Sequence, residues 1–237
     1  MAEQVETLRR TPLSRDRVLR AAVALADEAG IESLSMRNLA QELGVVPMAL
    51  YKHVANKDEL LDGMIDVVVG EIDPPVAGAD WKPTIRGRIL SARQVLLRHP
   101  WAVLAIEARN MATPAILAYL DAMVATLRTG LSADLAHHVM HAMGSRMLGF
   151  SQELFDASRN AGRSGATDPE PPAPMPPEVA ARFPHLAEIA TAASHDDESV
   201  VGQGCDDQFE FEFALDLLLD GIERLQQQGW RSSHRPR

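Results

Sequence analysis

The 237-residue chain contains a single cysteine, Cys205, so neither an intrachain disulfide nor a cysteine-built zinc site can form. No run is long and apolar enough to span a bilayer, because charges or prolines interrupt every candidate. Met1 to Arg10 is polar and no apolar stretch follows it, so no secretory signal is expected. A glycine-rich phosphate loop, a Gly-x-Ser-x-Gly elbow and a two-histidine-plus-glutamate zinc helix are all missing, which argues against an enzyme and against a bound cofactor. Strand-like alternation is almost absent as well. These absences leave an all-α, non-enzymatic, cytoplasmic protein with no membrane partner as the expectation.

Hydrophobic residues make up 46% of the chain and charged residues 24%, the balance of a globular protein with room for two cores. The net charge of −10 is unevenly spread. Residues 1–60 hold eight of the 23 basic and nine of the 33 acidic residues, so the remainder carries fifteen bases against twenty-four acids. The acidic bulk repels nucleic acid. Any DNA contact must come from a compact, well-aimed surface in the first sixty residues, and binding should be strongly salt-dependent.

Apolar residues recur at helical spacing from end to end. Ser14 is a good N-cap for a first helix through Val18, Ala21, Ala22 and Leu25, stopped by Gly30. A second starts after Ser35, with Leu39 and Leu43 on one face, until Gly44 breaks it. Pro47 opens a short third helix, where its missing N–H is harmless, and Asn56 caps a fourth from Lys57 to about Glu71. Pro74 and Pro75 mark a linker. Trp81–His99, Trp101–Asn110 and Thr113–Arg128 then read as helices, followed by a long one from Ser132 to about Phe155. Gly162 to Pro177 is rich in Pro, Gly and Ala and reads as a mobile loop, about 160–177. A helix over Glu178–Ala193, a polar break at His195–Gly204 and a final helix over Asp206–Gln228 complete the chain. The expected organisation is a flexible tail (1–13), a three-helix DNA-binding domain (14–60) and a larger helical effector-binding and dimerisation domain (61–237).

The segment from Ser35 to Tyr51 has the logic of a helix-turn-helix. Ala40 is small where two helices must approach, Gly44 permits the positive φ of a tight turn, and Val45 and Leu50 can lock the pair to the first helix. The third helix exposes Pro47, Met48, Ala49, Tyr51 and Lys52, a face too mixed for a core and too apolar for idle surface. In such a motif this helix enters the major groove.

From about Arg17 to Asp62 the chain resembles the TetR family of transcriptional regulators. The resemblance rests on Ala29-Gly30, Leu34-Ser35-Met36-Arg37, Leu39-Ala40, Leu43-Gly44-Val45, Leu50-Tyr51-Lys52-His53-Val54 and Asn56-Lys57. It implies that Arg37 reads a base from the second helix and that Ser35, at the start of that helix, belongs to the DNA-binding surface. It further implies that Pro47, Met48 and Ala49 meet base edges or thymine methyls. Tyr51, Lys52, His53 and Lys57 then grip phosphates, Lys57 aided by backbone amides at its helix start. The residues themselves also allow Tyr51 and His53 as packing residues and an Arg37 pair with Glu42 or Asp58. The recognition helix offers few polar base readers, so specificity leans on Arg37, methyl contacts and DNA shape.

The final helix carries Phe211, Leu215, Leu218, Ile222 and Leu225 on one stripe and Phe213 and Leu217 on another. Two apolar faces need two partners, the core and a second subunit. The run from Phe209 to Leu225 resembles the last helix of regulators with a C-terminal domain of the tetracycline-repressor type, which dimerise through their eighth and tenth helices. Phe211, Leu215, Leu218 and Ile222 are therefore the expected homodimer interface. One short helix reads too few base pairs, whereas a twofold pair reads a palindromic operator of double-stranded DNA.

A small-molecule effector pocket is expected among Trp101, Glu107, Asn110, Met111, Tyr119, Met143 and Met147, since methionines adapt to varied ligands and a mostly apolar cavity with a few polar groups suits a small effector. The fourth helix ends Val69-Gly70-Glu71-Ile72-Asp73 without the histidine that the tetracycline pocket uses, so tetracycline is not the expected ligand. His137 and His141 lie one turn apart beside His138, a spacing that can hold a metal, but no third ligand is apparent and no metal site is expected. The expected function is a repressor released from its operator by an effector. The alternatives are an activator of the same family or a helical interaction adaptor that does not bind DNA.

Overall fold

The computed structural model describes residues 12–150 except 77 and 110, residues 177–188 except 186, and residues 207–234. Among these residues there is no strand. The helices are α1 (Arg15–Ala29), α2 (Met36–Glu42), α3 (Pro47–Leu50), α4 (Lys57–Val69), α5 (Trp81–Arg98), α6 (Pro100–Glu107), α7 (Pro114–Arg128), α8 (Ala133–Met143), α9 (Pro177–Arg182) and α10 (Asp207–Gln227). No described helix is long and apolar enough to cross a membrane.

Local chemistry sets most of these limits. Ser14, Ser35, Asn56, Thr113 and Ser132 each cap a helix, their side-chain oxygens accepting a backbone N–H. At α4 the cap is reciprocal: Asn56 Oδ1 accepts from Glu59 N at 2.8 Å and Glu59 Oε2 accepts from Ala55 N at 2.7 Å. Pro47, Pro100 and Pro114 each open a helix where no amide partner is needed.

The expected long helix from Ser132 to Phe155 is corrected by the structure. α8 ends at Met143, and Gly144 adopts φ 48 with its N–H donating to the Met140 carbonyl. A 3₁₀ turn over Gly144–Leu148 follows. Glycine is the residue that enters this left-handed region without steric cost, so Gly144 ends the helix where a continuous one was expected. Of the expected helix over Glu178–Ala193, α9 forms the start and residues 184, 185, 187 and 188 are helical as well, while 189–193 lie outside the described residues. The 160–177 loop lies almost wholly outside the described residues, and the 1–13 tail and the 195–204 break lie largely or wholly outside them.

Two hydrophobic clusters organise the molecule. One gathers Val18, Leu39, Leu50, Val54 and their neighbours from α1–α4, joined by Val95, Leu96, Trp101 and Ala102 from α5 and α6. The other gathers α5, α7, α8 and α10 around Ile89, Met123, Met147, Phe211 and Leu215. Helix α4 serves both. Leu60, Met64 and Val68 face the first cluster, while Ile65 and Val69 face the second. A helix with two buried faces cannot shift without disturbing both sides.

Candidate nucleic-acid interface and ligand core

Helices α2 and α3 meet across a turn in which Gly44 has φ 65 and Val45 N donates to the Ala40 carbonyl at 2.9 Å. Leu39, Ala40, Leu50 and Val54 are buried beneath this turn. Everything expected to touch DNA sits above it. Ser35 is the α2 N-cap and accepts from Asn38 N at 3.1 Å. Arg37, Pro47, Met48, Tyr51, Lys52 and Lys57 are exposed, and Ala49 and His53 half-buried. Met48 is 73% exposed and Tyr51 47%, a large apolar surface for a four-residue helix to show to water. Arg37, Lys52 and Lys57 form no ion pair among the described residues, so the alternative pairing of Arg37 with Glu42 or Asp58 is not present.

Three polar contacts tie α4 to the helices beyond it. Arg109 reaches back from the end of α6 to Asp58 Oδ1 at 3.3 Å, the Asp58 carbonyl at 2.8 Å and Asp62 Oδ1 at 2.8 Å. Asp66 Oδ1 accepts the amide of Ala115 at the start of α7, at 3.2 Å. Past the end of α4, Glu71 accepts from Arg98 at 2.9 Å and lies 3.3 Å from His99 Nε2. Burial pushes the Glu71 carboxyl up, but hydrogen bonds from Arg98 and His99 outweigh it and the net shift is downward. His99 Nδ1 in turn lies 2.8 Å from Asp27 on α1. The sequence reading missed this α1–α4–α5 network, because its members are far apart in the chain and each reads as ordinary surface charge.

The expected ligand residues divide. Trp101 is buried in the first cluster, its indole donating to Asp27 Oδ1 at 2.6 Å. The α6 helix packs on α1 and α4, which turns Trp101 away from the larger core and leaves Glu107 in solvent. Met111 is 83% exposed. None of these three lies in the larger core, and Asn110 lies outside the described residues. Tyr119, Met143 and Met147 do come together in the larger core, where the Tyr119 hydroxyl donates to the Met147 carbonyl at 2.7 Å. Burial pushes the Tyr119 phenol up, against the opposing pull of nearby Arg88.

Arg88 itself is a residue the sequence reading passed over. It is 7% exposed, stacks over the Tyr119 ring at 4.6 Å, and its Nε lies 3.3 Å from the Asp73 carbonyl. The readable signal was its register, since Trp81, Ile85, Arg88 and Ala92 share one buried stripe of α5. One turn along α5, Thr84 lines a cleft of ≈ 940 Å³ together with Trp81, Ala122, Thr126 and Gln226. None of the expected ligand residues lines that cleft.

On α10 the two apolar stripes differ in burial within the chain. Phe211, Leu215 and Ile222 are buried in the chain's own core and Leu218 is half-buried, so the expected interface residues are not the exposed ones. Phe209, Phe213 and Leu217 are 54%, 53% and 58% exposed. Leu219 completes the inner stripe, a 211–215–219–222 spacing that follows the true 3.6-residue period. On α8, His137, His138 and His141 are exposed and stack edge-on, with His137 and His141 centroids 4.8 Å apart.

Residues 18–64 match the domain family described as bacterial regulatory proteins, tetR family, and residues 74–226 match the tetracyclin repressor-like C-terminal domain. An HTH-type transcriptional regulator of Saccharopolyspora erythraea is 40% identical over 116 residues, which span 48% of this chain and 49% of that protein. The chain thus covers about half the length of that relative. The HTH-type transcriptional repressor DrrR1 of Streptomyces coeruleorubidus is 30% identical over 221 residues, 90% of this chain and 78% of its own. Among solved structures, the Streptomyces coelicolor TetR family protein ActR in complex with (S)-DNPA superposes with a TM-score of 0.61 at 27% identity, covering 90% of this chain and 98% of ActR.

Proposed function

The chain belongs to the TetR family of bacterial transcriptional regulators, and from that premise we propose that it is a dimeric repressor that holds a palindromic operator until a small-molecule effector releases it. The observation that carries this reading is the sharing of α4. One end of that helix lies beside the exposed Lys52 and Lys57, its two faces are buried in different cores, and Arg109, Ala115 and Arg98 grip it from the larger side. DrrR1 is named a repressor and ActR was solved with a small molecule bound, which favours the same roles here.

In this reading Arg37 contacts a base edge, Pro47, Met48 and Ala49 pack on thymine methyls, and Tyr51, Lys52, His53 and Lys57 hold phosphates. Ser35 keeps α2 in register. The second copy covers Phe209, Phe213 and Leu217, and the effector is held near Tyr119, Met143 and Met147. The two recognition helices then read half-sites about one DNA turn apart. The domain division falls within α4, close to residue 60, and the working compartment is the cytoplasm, where its DNA resides. No enzymatic step enters the proposal.

Footprinting on the DNA upstream of the protein's own gene tests it. Protection of an inverted repeat, in the concentration range where the protein is dimeric, is the expected result. Equal binding to the repeat and to a scrambled duplex at physiological salt would overturn the reading.

A further inference from the structure

Packing leaves one side chain of the larger core without a reason. Arg88 Nη1 is the sole buried side-chain nitrogen or oxygen among the described residues with no hydrogen-bond partner. No described carboxylate pairs with its guanidinium, and the other titratable group that acts on it is the Tyr119 phenol, which burial keeps protonated. A guanidinium does not shed its proton in a protein. A cation held in an apolar core without a counter-charge destabilises the fold, and such groups persist where function retains them.

The surroundings fit a ligand. Arg88 lies one turn from Thr84 on α5, and Tyr119 one turn from Ala122 on α7, and both Thr84 and Ala122 line the ≈ 940 Å³ cleft. Arg88 and Tyr119 do not themselves line that cleft; its nearest lining residues on their helices, Thr84 and Ala122, lie one turn away. Tyr119 covers one face of the guanidinium and fixes its plane. Met123, Met143 and Met147 supply adaptable apolar bulk in the same core.

We propose that the effector is an organic anion, an apolar ring system or chain bearing one carboxylate, and that Arg88 Nη1 binds the carboxylate in the core between α5 and α7, beside Tyr119. This rests on the effector-released reading above and adds the ligand's chemical class. It also supplies a route to α4. Arg88 Nε is set against the Asp73 carbonyl and Ser91 Oγ accepts the Asp73 amide at 3.0 Å, so the group that meets the anion also holds the connection leaving α4. Recruiting the guanidinium to a carboxylate moves or releases that connection.

The test uses matched pairs, naphthalene-2-carboxylate, anthraquinone-2-carboxylate and dodecanoate, each beside its primary amide, titrated by calorimetry against the full-length protein, Arg88→Gln and Arg88→Met. At least one acid is expected to bind roughly ten- to hundredfold tighter than its amide, the range of one hydrogen bond to a charged group. In Arg88→Gln that ratio collapses toward one. Without ligand, Arg88→Met is expected to raise the melting temperature, since it removes an uncompensated buried charge and keeps the volume. The proposal is overturned if acid and amide bind equally, if the preference survives in Arg88→Gln, if no acid binds, or if Arg88→Met melts lower. Release of operator DNA by a neutral compound sinks the anion while leaving the repressor reading intact. Operator binding that no acid, amide or other small molecule relieves sinks the repressor reading itself.

Discussion

In the α1–α3 region the side chains proposed to meet DNA point outward from a small, locally determined scaffold, whereas in α5, α7 and α8 those proposed to meet the effector point inward and owe their neighbours to long-range packing. The first region needs only caps, one glycine turn and a handful of apolar contacts to present Arg37, Met48 and Lys52. In the second, Arg88 meets Tyr119 from α7, and Phe211 from α10 lies under the guanidinium groups of Arg93 and Arg146 at 4.3 and 5.2 Å. Locally specified surfaces keep their geometry when neighbours change. Cores assembled from distant helices can be biased by a small ligand, which suits one region to reading DNA and the other to sensing.

The largest effect that sharpens this contrast is on α10, where adjacent stripes should respond oppositely. Leu215→Arg places an unpaired charge in the core, costs about 3–5 kcal/mol and is expected to leave little folded protein. Leu217→Arg, on the exposed stripe, is expected to keep a cooperative melt while yielding monomers with no operator affinity. Sedimentation and thermal melting separate the two, and a dimeric, operator-binding Leu217→Arg would move the interface elsewhere.

A second test cuts the link between the regions. Arg109→Ala removes the grip on Asp58 and Asp62 without touching either core. Allosteric coupling is typically about 1–3 kcal/mol, and the effector-induced loss of operator affinity is expected to shrink several-fold. Anisotropy titrations with and without effector check this, and an undiminished response would mean that α4 is moved by other contacts.

Within the DNA-reading face, Arg37→Ala is expected to lose about 1–3 kcal/mol of discrimination between operator and random DNA, whereas Lys57→Ala weakens both alike and lowers the salt slope. Equal losses on both duplexes for Arg37→Ala would remove it from base reading.

The smallest effect belongs to the junction. The Glu71 carboxyl lies below the ordinary glutamate value of 4.5, so its stabilisation is complete above that pH and is lost as pH falls through the lower folded value. Glu71→Gln is expected to cost about 0.2–1 kcal/mol near neutral pH, as partly exposed ion pairs do. It should also flatten the acid limb of the melting profile. An unchanged limb would show that other groups dominate there.

Legibility in the sequence follows the same division. The limits of α1, α2 and α4 were readable because Ser14, Ser35 and Asn56 act on amides within three residues, and Gly44 because a turn of that kind needs its positive φ. The fold class followed from periodicity alone. The failures lie where distant packing decides. Gly144 lay inside the expected Ser132–Phe155 helix, but its φ of 48 ends α8. The α10 stripe was drawn on a four-three-four-three spacing that admitted Leu218, where the core takes Leu219. Trp101 looked like a pocket residue because nothing near it in sequence announces Asp27.

The most direct test of α4 as a shared lever is reciprocal linkage. Effector affinity is measured by calorimetry with and without saturating operator DNA, using the compound from an apolar and aromatic library that gives the largest thermal shift. Operator is expected to weaken effector binding by roughly 5- to 150-fold, the same factor by which that compound weakens operator binding. Identical effector affinity in both titrations would contradict the account, even with the compound lodged in the larger core.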